Sequence, residues 1–326
     1  MARTSQASRR QLRRTGTARQ WLLLFAVPTS LVGVAFGWAL ARPEGHDPSS
    51  VVRAISLLLG SVVLGLATLG WWSRTGTRPF ARNARLWQLS TAIAAAWMLA
   101  EGVLLAMTAS EADAEPLIEL SVGRFGQYVT EISAGRVGLA VLACTVAAAT
   151  WSAIAFRRKD ARLPVPVLVL AALALVARPI TGHMSQQMLG SALDVVHALA
   201  AAVWLGVLAA LGLMLRSRGD WAKWLPRFSD LAVWCVSLLT LTGVVNAAVK
   251  LGGVTPLFDT GYGRIVLAKM LVFAVLLGLG WWWRRTWVGQ AAAHRIDAET
   301  SLRRATVEVV AMAIAFGLAA ALATTA

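Results

Sequence analysis

The sequence predicts an all-α fold, a bundle of about nine helices crossing a membrane, and three observations lead there. The chain is 57% hydrophobic and only 14% charged, too apolar for a water-soluble globule. Its apolar residues gather into nine runs of about 20, the length at which a helix crosses a roughly 30 Å hydrocarbon layer. The connections between runs alternate between strongly basic and acidic or nearly uncharged, the pattern that separates retained cytoplasmic loops from exported ones.

In order, the runs occupy residues 20–41, 51–73, 86–108, 135–157, 164–181, 190–216, 228–251, 264–284 and 302–325. Run one ends in Ala39-Leu40-Ala41, similar to a signal-peptidase site, and "SRRQLRR" upstream is similar to a twin-arginine signal. Its apolar stretch exceeds the roughly 7 to 15 residues of a signal peptide, so a retained anchor is expected; cleavage would leave eight spans in the same orientation. Residues 1–19 form a basic cytoplasmic tail. Residues 20–134 read as a three-helix accessory region closed by the acidic loop "ASEADAEPLIEL", and residues 135–326 as a six-helix membrane domain. Abundant Gly and Ala within the runs suit close helix packing in lipid.

Orientation follows from the basic residues. Six arginines precede Trp21, and the loops at 74–85, 157–162, 216–227 and 284–304 hold most of the remaining Lys and Arg. The N-terminus is therefore expected inside, the C-terminus outside and the 182–194 stretch outside, in a multi-pass membrane protein. The net charge of +15 is spread through these loops rather than gathered on one face, which argues for anionic lipid headgroups and against nucleic acid as the partner. Tryptophans beside run ends (Trp71, Trp72, Trp87, Trp221, Trp224, Trp281 to Trp283) suggest an interfacial aromatic belt. Cys144 and Cys235 both fall within runs and imply no external disulfide. No phosphate-cradling Gly-Lys-Ser/Thr pattern is present, so ATP hydrolysis is not expected.

Ionisable side chains at membrane depth cost about 2.5 kcal/mol or more each, so each needs a partner or a function. Glu101, Arg178, Asp194, His197 and Lys269 all fall in the predicted outer half, with Asn246 beside them and His183 and Tyr262 just outside. Glu308 is the exception, near the inner end of the last run. Asp194 and His197, three residues apart, share one helix face about 4.5 Å apart along the axis. On continuous helix His183 would lie about 21 Å from His197. Gly182 and Gly190 allow "GHMSQQM" to fold back over a pocket instead, or to form a separate capture site.

Imidazole with thioether sulfur favours copper over hard ions. Met184 and Met188 suit the cuprous state and Asp194 the cupric one, whereas zinc more often recruits thiolates or three histidines. The candidate metal residues are thus His183, His197, Asp194, Met184 and Met188, supported by Glu101, Arg178, Asn246, Tyr262 and Lys269. Glu111, Asp113, Glu115 and Glu119 in the outer loop would raise the local cation concentration.

Four blocks, in order, resemble the bacterial copper-resistance D (CopD) family of inner-membrane proteins, from about Pro164 to the C-terminus and more weakly back to Gly135. They are "GHMSQQMLGSALDVVHALAAAVWLGVLAAL", "RFSDLAVWCVSLLTLTGVVNA" at Arg227, "TGYGRIVLAKM" at Thr260 and "SLRRATVEVVAM" at Ser301. Val207 stands where the family often has a second glycine. The resemblance implies copper movement or handling at the cytoplasmic membrane without catalysis, commonly beside a periplasmic copper carrier or a cuproenzyme assembly factor. It places His183, Asp194 and His197 on the family's candidate copper residues, and Tyr262, Arg264 and Lys269 on its outer motif.

Two other readings remain open. "HALAAAVWLG" also looks like the membrane protoporphyrinogen-oxidase type, in which such a histidine ligates haem, although the runs offer no second deeply embedded histidine. A non-metal scaffold for oxidase assembly is the other.

Overall fold

The computed structural model describes residues 21–43, 46–74, 80, 83–158, 164–180, 188–251, 253 and 255–325. Among these the chain is helical, without strands. A 3₁₀ turn at Trp21–Phe25 leads into α1 (Ala26–Ala41), followed by α2 (Ser49–Trp72), α3 (Ala84–Asp113), the short α4 (Val122–Glu131), α5 (Ser133–Arg158) and α6 (Pro164–Ile180). Then come α7 (Met188–Met214), α8 (Arg218–Leu251), the single turn α9 (Pro256–Asp259), α10 (Gly261–Trp283), a π-helical turn at Arg284–Val288, α11 (Gly289–Ala292) and α12 (Ala298–Leu322). Every predicted run is helical. Eight spans are long and apolar enough to cross a membrane, and the helix at Pro164–Arg178 is shorter. The protein is a polytopic helical membrane bundle.

Local chemistry sets several helix starts. Asp47 accepts hydrogen bonds from the Ser49 backbone N–H (2.7 Å) and hydroxyl (2.6 Å) before α2. Asn83, Thr260 and Asp297 cap α3, α10 and α12 by accepting from Arg85, Gly263 and Thr300 N–H groups at 3.0, 2.9 and 2.6 Å. Each satisfies a donor that the first helical turn leaves open.

Two boundaries differ from the sequence pattern for a physical reason. The run at 228–251 starts ten residues earlier in space, at Arg218, with Pro226 inside the helix. Pro226 would normally end a helix, but Trp221, Trp224, Leu225 and Phe228 around it are all buried, so packing holds the turn in place. The loop after the third run is also largely helical: α3 continues to Asp113, and α4 lays Tyr128 against Leu105 and Ala109 in a small satellite core.

Helices α2, α7 and α12 form the buried centre, and α8 and α10 are the outermost walls. Small residues permit the closest approaches, as lipid-embedded helices require. A Cβ on Gly206 of α7 would land on the Ser61 carbonyl of α2, and one on Gly65 would land on the Gly206 carbonyl. Gly33 and Gly317 bring α1 and α12 together in the same way.

The aromatic belt is smaller than the sequence suggested. Trp71, Trp281 and Trp282 are exposed as expected, but Trp87, Trp221, Trp224 and Trp283 turn inward and are buried. Trp221 and Trp283 flank Trp287 at ring separations of 5.8 and 5.6 Å. These indoles pack against one another where α8, α10 and the π-helical turn meet, a role that adjacency to a run end cannot distinguish from a lipid-facing one.

Candidate functional site

The residues singled out in the sequence form two groups. The first lies between α7 and α8. Asp194 and His197 sit one turn apart on α7, and the antiparallel α8 offers Asn246 and Thr242 one turn apart in the matching order. Asn246 Nδ2 donates to Asp194 Oδ1 at 2.7 Å, and His197 Nδ1 lies 2.8 Å from Thr242 Oγ1. The result is a two-rung polar ladder bridging two helices.

The second rung fixes the histidine tautomer. The single Thr242 hydroxyl proton is given to the Leu238 carbonyl at 2.6 Å, so the hydroxyl oxygen is left to accept from the Nδ1–H of His197. This leaves the Nε2 lone pair available, the arrangement that supporting hydrogen bonds impose on metal-ligating imidazoles. Thr242 was not among the residues picked from the sequence; its signal is the four-residue spacing to Asn246, which matches the turn between Asp194 and His197.

Lys269, on α10, completes the group and lies within electrostatic reach of both Asp194 and His197. Lys250, at the end of α8, also acts on Asp194 and places its ammonium 5.2 Å from the centre of the Tyr262 ring, a cation–π contact. One carboxylate therefore faces two ammonium groups, and a cation reaching Asp194 must displace one of them or balance its repulsion.

The second group lies between α2, α3 and α6. Arg178 Nη2 pairs with Glu101 Oε2 at 2.7 Å, Ser56 donates to the other carboxylate oxygen, and the Trp97 indole N–H donates to Ser56 Oγ at 3.0 Å. Arg53, missed in the sequence, lies within electrostatic reach of Glu101, Arg178, Asp47 and Glu111. Glu101 and Arg178 thus engage each other and the N-terminal helices rather than Asp194 and His197. In the acidic loop after α3, Glu115 forms an ion pair with Arg124, and the Glu111 and Asp47 carboxyls meet.

His183 and Met184 lie outside the described residues, as does the Met188 side chain at the start of α7. Among the described residues no three His, Cys, Asp or Glu side chains gather as a metal cluster, so Asp194 and His197 are the two donors that this part of the chain brings together. Arg264 holds helices together: its guanidinium donates to the Leu40 carbonyl at 2.8 Å and to that of Arg42, tying the start of α10 to the end of α1. His46 rests beside Trp38, ring centres 5.5 Å apart.

Comparison with known proteins adds a family to this geometry. The model "Copper resistance protein D" matches residues 222–322, and "Copper resistance protein D-like, N-terminal domain" matches residues 47–188. The likeness therefore extends through the N-terminal helices, further than the sequence motifs reach. Copper resistance protein D of Pseudomonas syringae pv. tomato is 27% identical over 254 residues, covering 72% of this chain and 80% of that protein. Copper transport protein CutJ of Bacillus subtilis (strain 168) is 31% identical over 117 residues, covering 32% of this chain and 21% of that protein. The chain thus spans about a fifth of CutJ's length. No solved structure matches.

Proposed function

The chain belongs to the copper resistance protein D family, and on that premise we propose that it carries copper ions across, or hands them over at, the cytoplasmic membrane. The metal is cargo here, and no chemistry is done on it by this chain. It would enter at the outer mouth near His183, Met184 and Met188, having been brought there by an extracytoplasmic copper carrier or destined for a cuproenzyme assembly factor. It would then pass to His197 and Asp194. The basic-loop pattern supports an orientation with that mouth outside.

The observation that carries the reading is the α7–α8 ladder. Buried polar groups between lipid-embedded helices are costly, and this one devotes two supporting residues to presenting an imidazole nitrogen and a carboxylate on the same helix face. The borderline imidazole nitrogen suits either copper oxidation state, while the carboxylate favours the cupric ion. Lys250 and Lys269 both lie within electrostatic reach of that carboxylate, so loading sets an arriving cation against two ammonium charges.

Metal analysis of detergent-purified protein after loading with copper tests this, with copper-dependent growth scored alongside. His197→Ala is expected to lose most of the bound copper and His183→Ala a smaller share. Equal copper in wild type and both variants would refute the assignment. Thr242→Val keeps the imidazole but frees its orientation, so copper affinity should fall roughly 10- to 100-fold. An unchanged dissociation constant would show that the ladder serves packing alone.

A further inference from the structure

A cavity of about 240 Å³ opens between α8, α10 and the π-helical turn, at the end of the bundle that carries the basic loops. Its walls are mostly apolar: Phe228, Val233 and Leu276 with the rings of Trp281, Trp283 and Trp287. At its floor, on α12, lies Glu308, only 5% exposed. The register of the polar ladder continues to this level. Seven residues along α7 from His197, or about 10 Å, comes Trp204, which lines the cavity beside Val236 of α8. The indole N–H of Trp204 faces the Glu308 carboxyl but has no partner within hydrogen-bonding distance.

Apart from Arg304, the charged groups around Glu308 are engaged or remote. Helix α1 carries none, α2 only Arg53 towards its other end, and α7 only Asp194 and His197, two turns or more away. On α8, Asp230 is paired with Arg284 at 3.1 Å, and Arg284 also donates to the Ser229 hydroxyl at 2.7 Å. Lys223 and Arg227 lie over the Trp224 ring, and Asp220 holds Ser217. Cys235 belongs to the main buried cluster. Lys269 of α10 is part of the outer group, and Arg304 is one turn earlier on α12 itself. Among the described residues no ion pair forms at Glu308.

A buried carboxyl set in apolar walls needs either a bound cation or a proton. A copper ion would need further strong donors, which a lining of indoles, aliphatic side chains and two serine hydroxyls, one already bonded to Arg284, does not supply. We propose that the Glu308 cavity is a proton-exchange site opening to the basic-loop end of the bundle. The carboxylate takes one proton from water admitted through the cavity and returns it by the same route; no electron moves and no other bond changes. If the copper reading also holds, a single added positive charge at His197, about 10 Å along α7 from Trp204, would weaken proton binding at Glu308, about tenfold for a separation of that order at an effective dielectric near 20.

Infrared difference spectroscopy of the reconstituted full chain during pH steps tests the site without copper. Wild type should show a protonated-carboxyl band that grows and fades with pH, Glu308→Gln should lack it, and Glu308→Asp should restore it at a shifted midpoint. Gln is isosteric with the neutral acid, so the variant is expected to fold, and a size-exclusion profile matching wild type checks this. A band unchanged in Glu308→Gln would overturn the proposal. Repeating the titration with copper should move the midpoint about tenfold in proton concentration in wild type and leave His197→Ala unmoved. A Glu308 band that titrates but ignores copper supports proton exchange and counts against the copper path instead.

Discussion

Gly206→Val is expected to yield no folded protein. At this crossing the α7 backbone runs against that of α2 so closely that even a methyl group would fall on the Ser61 carbonyl. A main-chain atom cannot swing away as a side-chain tip can. The two helices must then separate, and separation uncovers the most deeply buried pair of spans in the bundle. Overpacking a well-filled interior costs about 1–3 kcal/mol when side chains adjust, and more when the obstacle is backbone. The size-exclusion profile and thermal unfolding in detergent measure this, and Gly65→Val should behave alike. Gly102→Ala on α3 is the control, because nothing lies within 4 Å of the added carbon. A monodisperse, wild-type-like Gly206→Val protein would contradict the crossing.

Arg178→Met should destabilise the protein by about 3–5 kcal/mol, because it strands the Glu101 carboxylate among α2, α3 and α6. The Glu101 side chain is 5% exposed and that of Arg178 23%, so partial solvation of the arginine places the loss near the lower figure. Ser56 still donates to Glu101 in the variant and Arg53 stays within electrostatic reach of it, which again favours the lower figure. Glu101→Gln combined with Arg178→Met removes the stranded charge, and most of the stability should return. Denaturant unfolding of the two single variants and the double variant measures the coupling. Additive losses would mean that the pair does not act as a unit.

Much of the architecture was legible in the sequence because lipid imposes one strong rule: a spanning segment must satisfy its own backbone and present apolar side chains outward. All nine runs are helices for that reason. Their ends were less legible. Pro226 reads as a stop, yet Trp221, Trp224 and Phe228 pack around it, and burial between distant segments leaves no local trace. The tryptophans show the same gap, since Trp281 and Trp283 are two residues apart and edge the same cavity, yet one is exposed and the other buried.

The polar groups were legible as a set and less so as partners. Asp194 and His197 reveal their shared face through a three-residue spacing, a property of one helix. Their pairing with Asn246 and Thr242 depends on the register between α7 and α8, which sequence spacing cannot supply. Glu101 and Arg178 were grouped with Asp194 because membrane depth was all that the sequence offered, and the structure adds the lateral coordinate that separates them. Glu308 stood apart from the start, and the reason, a cavity of its own, became visible only once α8, α10 and α12 were seen together.

Helix α7 is locked to α2 at Gly206, whereas α8, which supplies Thr242 and Asn246, turns Trp234, Leu241 and Val244 toward the surroundings at 72%, 62% and 62% exposure. One jaw of the ladder is thus bolted to the frame and the other leans on acyl chains. Bilayer thickness shifts helix tilt at modest energetic cost, so the grip on His197 and Asp194 should respond to lipid composition, tightening or slackening as the loose jaw tilts.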